Sequence, residues 1–140
     1  MTILGVDLGT KRVGVAVSDE SRTLALPLTV ISFIGRKKLL EDLNQLVVEY
    51  QATTLVVGLP KTLMGEMGIA AQEVAAHVEW FRKHAPQLEW VFWDERLTSQ
   101  EVERILIEAD VSRSRRKEVR DKLAAQRILQ SYLDFKKNTL

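Results

Sequence analysis

The stretch 3–19 constrains this chain more than any other, because it reads as strand, tight turn and strand with a carboxylate set into the first strand. Ile3, Leu4, Val6 and Leu8 form the near-continuous apolar run of a strand covered on both faces. Asp7 interrupts that run just before Gly9, which puts its carboxylate near the strand end. A lone buried carboxylate is costly unless it is paired, hydrogen-bonded or bound to a cation. Gly9, Thr10, Lys11 and Arg12 then supply a flexible turn, a hydroxyl and two cations, as a site for a metal ion and a phosphate requires. The local alternative is that Asp7 caps the turn through backbone amides.

The remaining elements follow from periodicity and breakers. A second strand is expected over 13–18 and a third over 23–31, where Pro27 points to a sheet edge. Helices are expected over 36–50, with Leu39, Leu43, Leu46, Val47 and Tyr50 on one face, and over 69–84, with Val74, Val78 and Phe81 inward. Between them, 53–57 is a short strand ending at Gly58, and 89–93 is a fifth strand that runs into Asp94, Glu95 and Arg96. Thr98 with Glu101 is a capping box that opens a third helix. A basic linker over 111–116 and a last helix over 117–136 complete the chain. The order β-β-β-α-β-α-β-α-α gives an antiparallel meander of the first three strands joined by right-handed crossovers to parallel strands. The expected fold is therefore α/β: one five-stranded mixed sheet flanked by helices, in the ribonuclease H-like arrangement.

With 140 residues, 46% of them hydrophobic, the chain is expected to form a single domain, 1–140, with a proper core. The absence of cysteine excludes disulfides and thiolate metal sites. No apolar run approaches a membrane span and no signal core is evident, so a soluble, cytoplasmic protein without membrane contact is expected. A net charge of +1 makes no global case for nucleic acid. The local distribution is different. Arg113, Arg115, Arg116, Lys117, Arg120 and Lys122 cluster in one short stretch, and Arg36, Lys37 and Lys38 form a smaller group. Such runs are either a solvated helix face or a surface for phosphates.

Ligands of open α/β sheets gather beyond the carboxyl ends of the parallel strands. Asp7 ends the first strand and Asp94 and Glu95 end the last, so neighbouring strands would bring these acids to one crevice. Asp121 shares a helical stripe with Ala124, Ala125, Ile128 and Tyr132 and is expected to point at the sheet. The two alanines would let the helix come close. Hard oxygen donors from three elements suit Mg²⁺ or Mn²⁺, and two such ions can activate water and stabilise a leaving oxygen in phosphodiester hydrolysis. The structural alternatives are that Asp94 or Glu95 caps the next helix or pairs with Arg96, and that Asp121 pairs with Lys117 or Lys122. His77 and His84 fall on the second helix with no evident partner and read as exposed or capping residues.

Four blocks together resemble the YqgF family, also called the RuvX family of Holliday-junction-resolvase-like proteins. They are Gly5-Val6-Asp7-Leu8-Gly9 with Arg12 to Asp19; Val57-Gly58-Leu59-Pro60; Asp94-Glu95-Arg96-Leu97-Thr98-Ser99; and Asp121-Lys122-Leu123-Ala124-Ala125 with Ile128 to Asp134. The resemblance spans essentially the whole chain. It implies a ribonuclease H-like, divalent-metal nuclease similar to proteins assigned to 5′-end processing of the 16S ribosomal RNA precursor. It also implies Asp7, Glu95 and Asp121 as catalytic metal ligands, with two Mg²⁺ or Mn²⁺ ions. Gly9, Thr10, Lys11, Arg12 and Arg96 would contact substrate phosphate, and Arg113, Arg115 and Arg116 would guide the nucleic acid. Thr62 and Met64 depart from the Asn and Asp that family members often carry after Gly-Leu-Pro, and Ser99 replaces a usual Thr.

Three rival readings differ in what they predict. An actin-like ATPase lobe would require a second lobe and a second phosphate hairpin, which 140 residues do not supply. A resolvase acting on branched DNA needs paired symmetric cuts and hence a dimer, whereas the sequence leaves monomer and weak homodimer both open. A non-catalytic nucleic-acid-binding protein predicts salt-sensitive binding without metal-dependent cleavage.

Overall fold

The computed structural model describes residues 1–61, 64–94 and 113–138. Five strands, β1 (Thr2–Leu8), β2 (Arg12–Ser18), β3 (Ala25–Ser32), β4 (Ala52–Leu59) and β5 (Glu89–Asp94), form one sheet in the order β3-β2-β1-β4-β5. The β1-β2 and β2-β3 pairs are antiparallel, and β1-β4 and β4-β5 are parallel. Helices α1 (Arg36–Glu49) and α2 (Ile69–His84) cover one face, and α3 (Arg113–Asn138) covers the other. This is the expected five-stranded mixed sheet with its three-strand meander.

The two layers follow from strand alternation. Leu4, Val6 and Leu8 of β1, Val13, Val15 and Val17 of β2, and Leu55, Val57 and Leu59 of β4 face α1 and α2. There they meet Leu39, Leu43 and Val47 of α1 and Ala71, Val74, Val78 and Phe81 of α2. Phe81 is fully buried and stacks on Trp90, 5.2 Å between ring centroids. Burial of a side chain this size contributes roughly 1.5–3 kcal/mol. The intervening positions Ile3, Ala16 and Val56 pack under Ala125, Ile128, Leu129, Tyr132 and Leu133 of α3. Pro27 lies on the edge strand where the β2-β3 register shifts, so its missing N–H interrupts no central ladder.

One expectation is corrected. The basic segment is not a linker up to residue 116, because α3 already begins at Arg113. Arg and Lys are good helix formers and no Gly or Pro breaks the run, so the helix extends back through it. The expected helix after Thr98 and position Thr62 lie outside the described residues. Met64 is exposed.

Candidate active site at the carboxyl edge of the sheet

Asp7 belongs to the β1 register that faces α3, and its partner across the β1-β2 ladder is Gly14. The helix passes over that point at close quarters. A β-carbon on Gly14 would collide with the Asp121 carbonyl oxygen and stand 2.6 Å from its carbonyl carbon. At Gly5 the same substitution would meet Leu129 Cβ at 2.7 Å and the Ala125 oxygen at 2.9 Å. The two strand glycines thus form a trough in which the α3 backbone rests, and the buried Ala124 and Ala125 complete the fit. Missing side chains bring Asp121 into electrostatic reach of Asp7.

The electrostatics are those of a site built for positive charge. Burial pushes the Asp7 carboxyl up to about 6, the charge on Asp121 adds to the rise, and Arg120 opposes it. Arg12 Nε donates to Asp121 Oδ2 at 2.7 Å, so Asp121 has a partner on β2. The β1-β2 turn is closed by the Gly9 N–H donating to the Arg12 carbonyl at 3.0 Å. A β-carbon at Gly9 would stand 2.6 Å from that oxygen, which is why the turn requires glycine. Gly9, Thr10 and Lys11 are exposed around it. On the first turns of α3, Arg115 is exposed and Arg116 and Arg120 are half-buried, while Arg113 opens the helix.

Asp94 ends β5 opposite Leu59 of β4, and β4 in turn lies beside β1. The last parallel strand therefore terminates at the same sheet edge as Asp7, two inter-strand spacings away, or about 10 Å. Glu95 and Arg96 lie outside the described residues. Among the described residues no three potential ligand side chains cluster for a metal. Asp7 and the half-buried Asp121 supply two carboxylates, and oxygen-only donors that repel each other fit a hard divalent cation.

A cleft of about 540 Å³ opens from this edge toward the α2 side. Asp7, Leu8, Gly9 and Thr10 line it, together with Phe33, Pro60, Glu73 and His77. His77 has a partner after all: Arg36 Nε donates to its Nδ1 at 2.8 Å, and the Phe33 ring packs edge-on at 5.0 Å. That arrangement was illegible in the sequence because Arg36 precedes His77 by 41 residues. His84 behaves as expected, with Nδ1 at 2.8 Å from the Trp80 carbonyl in the last turn of α2. Beside Ala124 and Ala125, which the sequence offers for a close helix approach, the strand glycines Gly5 and Gly14 are a further signal of the α3 contact, since such glycines mark close approach of another backbone.

The family model for RuvX, described as a Holliday junction resolvase, matches residues 1–135. A protein of Thermoanaerobacter pseudethanolicus named "Putative pre-16S rRNA nuclease" is 49% identical over 139 residues, covering 99% of each chain. A protein of the same name from Bacillus cytotoxicus is 45% identical over 138 residues, covering 97% of this chain and all of its own. Among solved structures, Thermus thermophilus RuvC superposes with a TM-score of 0.57 at 12% identity, over 99% of this chain and 98% of that one. The fowlpox virus resolvase in complex with Holliday junction DNA gives 0.58 at 10% identity, over 96% and 97%. At such identities these two support the ribonuclease H-like fold alone. With the family model covering nearly the whole sequence and the relatives matching end to end, the chain belongs to the RuvX family.

Proposed function

We propose that this chain, as one domain over 1–140, is a nuclease that hydrolyses phosphodiester bonds in the 5′-end processing of the 16S rRNA precursor. The names of its relatives support the substrate. The observation that carries the chemistry is the seating of the Asp121 backbone on Gly14, the ladder partner of Asp7, which sets two carboxylates at one edge of the sheet. Burial raises the Asp7 carboxyl and the Asp121 charge adds to the rise, a cost to Asp7 that a cation between the two acids would offset. Asp7, Asp121 and Glu95 would hold one or two Mg²⁺ or Mn²⁺ ions, which supply water activation and charge stabilisation when bound. The chain's own groups do the rest. Lys11, Arg12 and Arg96 would anchor phosphates beside the acids, and Gly9 and Thr10 would offer the turn's backbone and hydroxyl. Arg113, Arg115 and Arg116 would track the strand, contacts that position nucleic acid without reading its sequence. Such work belongs in the cytoplasm.

The test uses precursor RNA with its 5′ extension, a four-way DNA junction, and wild-type and Asp7→Asn protein in Mg²⁺, Mn²⁺ or chelator. Metal-dependent cleavage of the RNA by wild type, lost in Asp7→Asn while binding persists, supports the reading. Paired symmetric nicks in the junction by a stable dimer overturn the RNA assignment. Equal cleavage by both proteins overturns the assignment of Asp7. Calorimetric titration with Mn²⁺ gives a readout independent of turnover.

A further inference from the structure

The cleft beside Asp7 carries more than phosphate chemistry needs. Its α2 wall presents Glu73 and His77, one helical turn apart and therefore on the same face. Because Arg36 donates to His77 Nδ1, that nitrogen is an acceptor and the ring proton of the neutral imidazole resides on Nε2. Nε2 makes no hydrogen bond among the described residues. Glu73 is exposed and makes none either. Phe33 and Pro60 add apolar walls.

This set discriminates among ligands. A phosphate would face the Glu73 carboxylate on the α2 wall. A bare cation has no use for an aromatic wall and an N–H donor. A planar heterocycle with a donor beside an acceptor on one edge matches all of it: Glu73 accepts, His77 Nε2–H donates and the Phe33 ring packs against the plane. At about 540 Å³ the cleft falls within the 300–1,000 Å³ or so of small-molecule sites. Every nucleobase has such an edge, and it is free only when the base is unpaired. Single-stranded RNA is recognised in this way, by splayed bases on aromatic side chains with their Watson–Crick edges bonded.

We infer that the cleft of Phe33, Glu73 and His77 is a subsite for one unpaired nucleobase adjacent to the scissile phosphate, with Arg36 as the residue that orients His77. The inference rests on the nuclease reading above and deepens it: the substrate must be single-stranded where it is cut. Base contacts release no counterions, so this subsite adds affinity that salt does not erode, unlike Lys11 and Arg12.

The experiment scans 2-aminopurine through a short single-stranded RNA bound to Asp7→Asn protein, alongside cleavage of the same RNA by wild type in Mg²⁺. Fluorescence should change at one position flanking the cut. Adding Glu73→Ala or His77→Ala should abolish that response and weaken binding roughly tenfold, the scale of one base contact, with the salt dependence unchanged. His77→Gln, which keeps an N–H donor, should restore part of it. Glu73 is exposed, so its variant keeps the test valid if His77→Ala fails to fold. Cleavage by wild type with a response indifferent to Glu73 and His77 overturns the subsite alone. A position-specific response without metal-dependent cleavage overturns the nuclease reading and leaves the subsite standing.

Discussion

Gly14→Ala adds one methyl group at the point where the site is assembled. That carbon would stand 2.6 Å from the Asp121 carbonyl carbon, whereas carbon atoms pack comfortably at about 3.5–4.0 Å. The helix must therefore retreat by about 1 Å at Asp121, or the sheet must distort under Asp7, the register partner of Gly14. Overpacking of this kind costs about 1–3 kcal/mol. A displacement of about 1 Å within a catalytic constellation costs on the order of 100-fold in rate. Gly5→Ala is the control. It meets Leu129 Cβ and the Ala125 oxygen, one to two helical turns beyond Asp121, and should lose similar stability with a much smaller rate effect. Urea melts give the first quantity, and single-turnover cleavage at saturating Mg²⁺ gives the second. If Gly14→Ala unfolds like wild type, or loses stability and yet cleaves at the wild-type rate, the glycine trough does not position Asp121.

The other predictions concern charge and tethering. Asp7→Asn in chelator should be more stable than wild type near neutral pH, because it removes a buried charge facing Asp121 and only partly offset by Arg120. A rise from 3.8 to about 6 sets an upper bound of about 3 kcal/mol at 1.36 kcal/mol per unit. Since the folded state holds this proton more tightly, the Asp7 contribution is most favourable below pH 4 and is lost as pH rises to about 6. Melts of both proteins from pH 4 to 7.5 should show the gap opening across that window; a constant gap contradicts it. Mn²⁺ should then raise the melting temperature of wild type and not of Asp7→Asn. Arg12→Gln should weaken RNA binding and lower its salt slope by about one phosphate, read by titrations at several salt concentrations. Gln130→Ala should cost about 1–3 kcal/mol in urea melts and leave cleavage intact. Its amide accepts from the Ala25 N–H at 2.8 Å and donates to the Thr23 carbonyl at 2.9 Å, tying β3 to α3 far from Asp7.

What the sequence discloses about this molecule divides along the range of the forces involved. The near-continuous apolar run of β1 and the 3.6-residue stripe that carries Asp121 beside Ala124 and Ala125 are local patterns, so the sheet, its meander and the inward acid were all legible. α3 starts four residues before the expected Lys117, because clustered Arg and Lys favour a helix when nothing breaks it. Partners across long chain separations were not legible: Arg12 reaches Asp121 over 109 residues, and Arg36 reaches His77 over 41. Between these limits stand Gly5 and Gly14. Either could have been read as a weak point in a strand, yet each marks where a helix backbone comes to rest. Asp7 and Asp121 gain their meaning from that contact, since a carboxylate on a strand and another on a helix are unremarkable until the atoms between them are removed. The chemistry of the site therefore depends as much on where this chain omits side chains as on where it places charges.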